Sequence, residues 1–193
     1  IVVLCPRRKK KFIEEEFGRD RVIFEGIPLR LYRGDLYMRA LALSALRTPS
    51  LAIKRAVELA GRGKLLSFVL ANTPGHFFVR FLNRFLTPQG TFEELFARYN
   101  PVLVFSTDVQ NELDVRLMCD AERRGSRVIS MVRSWDNLTA KGLVRFVPDM
   151  LLVHNEIIAC EAERLHGISR SRLRVIGIPH YDRYLTRAAA AAD

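Results

Sequence analysis

The chain has 193 residues, and 31 Lys and Arg against 21 Asp and Glu give it a formal charge of +10. Hydrophobic residues at 49% and charged residues at 27% describe a folded protein with a sizeable core and exclude a disordered, collagen-like or mucin-like chain. Three cysteines, Cys5, Cys119 and Cys160, include no CxxC pair and no histidine at zinc-ligand spacing, which argues against a disulfide scaffold or structural zinc and for a reducing compartment.

The first residues form an apolar run, 1–5, of strand length, followed by the basic run Arg7-Arg8-Lys9-Lys10-Lys11. A signal peptide has the reverse order and a longer apolar stretch. The pattern predicts a helix over 9–17 ending at Gly18 and a second strand over 21–27 closed by Pro28. Residues 35–99 change character and read as several helices, with 65–70 ambiguous. Thr48-Pro49 and Thr73-Pro74 each place a capping hydroxyl before a first-turn proline, and Thr91-Phe92-Glu93-Glu94 reads as a capping box.

From Asn100 the alternation is clearest: strands over 102–106, 127–132, 150–153 and 173–176, and helices over 110–124 and 156–165 that end at Gly125 and Gly167. Unbroken apolar strands separated by helices predict parallel pairing with both faces buried, hence an α/β, doubly wound, mostly parallel Rossmann-like sheet with a helix-rich insertion at 34–99. The chain opens on a strand and closes on Arg187 and five alanines. It reads as one domain over 1–186 that lacks its first strand, with 187–193 beginning the connection to a second domain.

Ligands of open parallel sheets bind beyond the carboxyl ends of the strands. There the sequence places Ser106-Thr107-Asp108, Arg133-Ser134-Trp135-Asp136-Asn137, His154-Asn155 and Gly177-Ile178-Pro179-His180-Tyr181-Asp182. Asp108 and Asn155 also suit helix capping. The segment from Ser134 to Asn137 carries the only tryptophan and points more strongly to a site. His166, before a helix-ending glycine, reads as a partner of the helix dipole, and His76 as an exposed residue. No GxxxxGK[ST] or GxGxxG phosphate loop occurs, and no cofactor or metal is expected. Phe77, Phe78, Phe81, Leu82, Phe85 and Leu86 recur at helical spacing with Arg80 and Arg84 off the stripe. This fits a core-packing helix first and a helix lying on an anionic membrane second. The basic run from Arg7 to Lys11 fits a solvated face or the same membrane.

Ser134-Trp135-Asp136-Asn137-Leu138-Thr139-Ala140-Lys141-Gly142, the stretch from Pro148 to Glu156, Leu165-His166-Gly167-Ile168 and the G-x-P-x-x-D pattern from Gly177 to Asp182 resemble the N-terminal half of GT-B-fold proteins of bacterial surface-glycan biosynthesis. The similarity is to CDP-glycerol glycerophosphotransferase-like and UDP-N-acetylglucosamine 2-epimerase-like proteins and covers 102–184. The resemblance implies a two-domain transferase, cytoplasmic or peripheral on the inner face of the plasma membrane. Its nucleotide-linked donor would sit mostly on a second domain, and its glycan or polyol-phosphate acceptor on this one. Asp136 is then the expected general base. Ser134, Asn137 and Asp108 would orient the acceptor, Trp135 would stack on a sugar, and Arg133 and His180 would neutralise phosphate charge. His154, Gly177, Pro179 and Asp182 would complete the site. A sugar-nucleotide 2-epimerase on the same scaffold is the enzymatic alternative. A module that binds anionic membrane or polymer is the non-enzymatic one, and the lack of any nucleic-acid motif disfavours nucleic acid.

Overall fold

The computed structural model describes residues 1–59 and 62–182, and for Arg62 and His180 the main chain alone. The chain divides into two compact units, Ile1–Tyr32 and the part from Arg33 onward. In the first, β1 (Val2–Pro6) pairs in parallel with β2 (Ile23–Ile27), and α1 (Lys10–Phe17) connects them. The second strand starts at Ile23 rather than at position 21 because Arg21 takes a left-handed turn at φ 66°. The basic run forms a short 3₁₀ turn and the start of α1. Lys10 and Lys11 meet Glu14 and Glu15 one turn on, so part of the run is neutralised locally.

The second unit begins with five helices: α2 (Arg33–Ser44), α3 (Pro49–Glu58), α4 (Arg62–Leu70), α5 (Thr73–Leu86) and α6 (Glu93–Tyr99). The ambiguous stretch 65–70 is helical. Thr48 caps α3 as expected, its hydroxyl accepting the Leu51 N–H. Two caps differ from expectation. Asn72, not Thr73, caps α5, because its longer side chain reaches the Gly75 N–H at 2.8 Å. The box at Thr91 does not form: α6 starts at Glu93 with Phe92 at its N-cap and no side-chain cap, and the buried Asp120 carboxylate accepts the Gly90 and Phe92 N–H groups just before it.

The core of these helices joins Met38, Ala42, Leu43 and Leu46 of the α2 region to Leu51, Leu70, Val79 and Leu143. At the end of α2 the carbonyls of Leu43 and Leu46 accept from the buried Arg55, and that of Ala45 accepts from His76 Nε2. His76 is therefore engaged rather than free on the surface.

The rest of the unit is a four-stranded parallel sheet in the order β3 (Leu103–Ser106), β4 (Arg127–Met131), β5 (Met150–Val153), β6 (Leu173–Val175). Connections run through α7 (Glu112–Arg123), α8 (Asn137–Ala140) and α9 (Glu156–His166). The chain is thus α/β with two parallel sheets. Sequential order winds this sheet in one direction, and neither sheet contains the reversal of strand order that double winding denotes.

Right-handed crossovers in such an order put the connecting helices on one face. Accordingly the in-register row Ser106, Ser130, Leu151 and Leu173 is buried, while Phe105, Ile129 and Met150 on the other face stay partly exposed. The expectation of strands buried on both faces fails for this reason. Two of the contacts between helices and sheet are closely constrained. Asp35 of α2 pairs with Arg116 of α7 in full burial, 3.5 Å apart. Gly142, at φ 91°, lies so close to the backbone of Ala42 that a Cβ would sit 2.7 Å from its carbonyl.

Candidate functional site

Parallel pairing brings the ends of β3, β4, β5 and β6 to one edge, with each segment held by local bonds. After β3, the Ser106 hydroxyl donates to Asp114 Oδ1 at 2.9 Å. Asp108 turns back on itself: Oδ1 accepts the Gln110 N–H at 3.0 Å and Oδ2 pairs with Lys141 Nζ at 2.8 Å. The cap of α7 is Asn111, so Asp108 is a buried ion-pair partner and not a helix cap. Burial holds the Asp114 carboxyl above the usual carboxylate range, and the charge on Asp108 adds to this, while Ser106 and Arg133 oppose it.

After β4 the chain reaches Arg133, Ser134, Trp135, Asp136 and Asn137. The Ser134 hydroxyl donates to Asp136 Oδ1 at 2.7 Å, a short charge-assisted bond. Asp136 stands at the N-cap of α8, yet its side chain caps no backbone N–H there. It is half-buried, and Arg133 and Trp135 are exposed. Asn137 is fully buried, and neither its Oδ1 nor its Nδ2 has a hydrogen-bond partner. Leaving a buried amide unpaired costs about 1–3 kcal/mol for each group, which makes this the least satisfied point of the edge.

After β5, His154 is buried with Nδ1 unpaired, and Asn155 caps α9 by accepting the Ile158 N–H, as its capping reading expects. After β6, Gly177 turns the chain at φ 75° and Pro179 opens a 3₁₀ turn that leads to Asp182. The role expected of the His180 side chain lies outside the described residues, as do Tyr184 and the connection at 187–193.

The edge therefore joins Ser134 to Asp136, and groups Asp108 with residues that the sequence did not single out: Asp114, Lys141 and Gln110, the last donating to the Gly142 carbonyl at 2.6 Å. Asp114 lies in the first turn of α7, where the fold brings it against Ser106. His154 directly follows β5 and Gly177 comes two residues after β6, while Pro179 and Asp182 lie further on, in and just after the 3₁₀ turn.

His166 departs from its dipole reading. It is fully buried, its Nδ1 accepts the Val144 N–H and its Nε2–H donates to the Leu138 carbonyl, and burial pushes its pKa down to about 3. It is a structural, neutral histidine that ties α9 to the loop after α8. Cys119 is likewise inert, its thiol pushed up to about 11 by burial. No group of three or more His, Cys, Asp or Glu among the described residues can hold a metal ion.

The basic excess is not at this edge. Residues 87–193 carry 14 basic and 14 acidic side chains, whereas residues 33–86 carry nine basic and two acidic. Comparison of the chain with protein-family models, with curated proteins and with solved structures finds no match.

Proposed function

We propose that the edge formed by β3 to β6 is the acceptor-binding side of a Rossmann-like domain in a nucleotide-dependent transferase of the GT-B type. It would transfer a sugar or glycerophosphoryl group to a glycan or polyol-phosphate acceptor, as in surface-glycan biosynthesis. The observation that carries this reading is the half-buried Ser134–Asp136 pair at 2.7 Å, at the strand edge and next to the exposed Trp135. The O–H of a hydroxyl-bearing acceptor takes the place of Ser134 against the Asp136 carboxylate. Asp136 then removes the hydroxyl proton as the acceptor oxygen attacks the donor and the nucleotide leaves with the electrons of the broken bond. The exposed indole of Trp135 offers a stacking surface for a sugar ring, and Arg133 a charge for an acceptor phosphate. On this reading the nucleotide-linked donor is held by a second α/β domain.

Trp135 is the sole tryptophan, so its fluorescence reports on this edge alone. Titration of the chain with glycerol phosphate oligomers and N-acetylhexosamine disaccharides is expected to shift Trp135 emission saturably. Asp136→Ala should weaken the shift about tenfold, the loss of a hydrogen bond to a charged group. Emission that stays unchanged with both acceptor classes sinks the reading.

A further inference from the structure

In α4 and α5 Leu70 and Val79 join the core, but most of the large apolar side chains face outward. The buried seam of α5 consists of Gly75, Val79 and Asn83, with Arg80 turned inward to donate to the Val144 and His166 carbonyls. The phenylalanine stripe lies outside: Phe77 is 74% exposed, Phe81 58% and Phe85 63%. In α4 the same inversion buries Ser67 and leaves Leu65 73% and Phe68 74% exposed. Isolated exposed apolar residues need no explanation, but a run of aromatic and aliphatic side chains on two consecutive helices marks an interaction surface. No single helix among the described residues is long and apolar enough to cross a membrane. The α4–α5 pair reaches that composition only as a unit bent by 106°.

The surroundings are cationic. Of the two acids in residues 33–86, Asp35 is buried against Arg116 and Glu58 is paired with Arg39. Beside Phe68 lies an open pocket of ≈ 460 Å³ lined by Arg47, Thr48, Arg55, Lys64, Ser67 and Phe68, among others, with no carboxylate among its lining residues. The Arg47 guanidinium stands 5.9 Å over the Phe68 ring, and the Ser67 hydroxyl is buried with no hydrogen-bond partner. A pocket with three cationic side chains, an unpaired buried hydroxyl and an apolar rim has the chemistry of a phosphate ester attached to a hydrocarbon chain.

We propose that the outer face of α4 and α5 docks on the surface of an anionic phospholipid bilayer, with the phenylalanines among the acyl chains and one lipid phosphate in the Arg47–Arg55–Lys64–Ser67 pocket. The bent pair lies in the interface and does not span. This role is independent of the chemistry at the sheet edge and stands if the Trp135 titration fails.

The test is co-sedimentation of the whole chain with vesicles of phosphatidylcholine alone and of phosphatidylcholine mixed with phosphatidylglycerol. Binding is expected to the anionic vesicles and to be weakened, not abolished, between about 0.1 M and about 1 M salt, where the Debye length falls to about 3 Å. The double variant Phe77→Ser/Phe81→Ser should bind at least about tenfold more weakly at both salt levels, with its thermal unfolding unchanged. Lys64→Glu should lose several-fold at low salt only. Absence of binding to anionic vesicles overturns the proposal. So does binding that survives Phe77→Ser/Phe81→Ser undiminished, or a wild-type dimer that this double variant converts to monomer without any vesicle binding, which would assign the face to a second copy of the chain.

Discussion

The helical region 33–99 and the sheet region 100–182 are built of similar residue types arranged in opposite senses. In the sheet region apolar strand residues such as Val104, Val128 and Leu151 turn inward, and polar side chains collect where strands end. In α4 and α5, serine, asparagine and arginine turn inward and phenylalanine turns out. Hydrophobic periodicity locates a face on a helix, and the rest of the fold decides whether protein or solvent meets it. The difference also separates two kinds of charge. The sheet region is electrically balanced and uses its ions as specific pairs, while the helical region holds basic residues in large excess.

The sharpest way to break the comparison is to cut the most deeply buried ion pair between the regions. Arg116 and Asp35 are both almost wholly buried, so Arg116→Ala removes a counter-charge from an interior carboxylate and is expected to cost about 3–5 kcal/mol in urea unfolding. Asp35→Leu combined with Arg116→Met removes both charges and should restore most of that loss. If Arg116→Ala instead gives two separate transitions, the helices and the sheet fold as independent units.

Next in size is a pH effect that belongs to the same junction. His166 has its pKa lowered to about 3 in the folded state, so between there and its ordinary value the unfolded chain binds the extra proton. The stability that this histidine contributes is full above about pH 6.5 and falls by about 1.4 kcal/mol for each unit below it, until the folded-state value is approached. His166→Gln should be less stable at neutral pH, having lost one of two buried bonds, yet show a shallower decline between about pH 6.5 and about pH 4.5. Denaturant midpoints at several pH values give both numbers, and a variant whose decline is as steep as that of the wild type removes His166 as the source.

Local pattern made much of this fold legible. Apolar runs bounded by glycine and proline put β3 to β6 within a residue of their observed ends, and Gly125 and Gly167 mark the stops of α7 and α9 in left-handed conformation. Strand-end logic also brought Ser134 and Asp136 forward, and they prove to be bonded. What local pattern could not reach are contacts between residues distant in sequence. Asp120 holds the Gly90 and Phe92 N–H groups before α6, Lys141 neutralises Asp108, and Asp114 turns toward Ser106. Each depends on how helices close against the sheet. The sides of α4 and α5 were illegible for the same reason: the seam that packs is set by how closely Gly75 meets the Leu70 backbone and Gly63 the side chains of Arg55 and Leu59, not by where hydrophobicity is greatest.

The smallest effects test that last point most directly, through two residues of α5 placed two positions apart. Val79 is fully buried and belongs to the helical core, so Val79→Ala removes packed methyl groups and is expected to cost about 1–3 kcal/mol. Phe81 is the larger and more hydrophobic side chain, yet Phe81→Ala should change stability by no more than about 0.5 kcal/mol, because the residue is 58% exposed, with its ring centroid 4.9 Å from that of the similarly exposed Phe85. A composition-based ranking gives the reverse order. Should Phe81→Ala prove the more damaging of the two, the aromatic stripe packs inside the protein, the helical region follows the same rule as the sheet, and the outward face proposed for lipid disappears with the contrast.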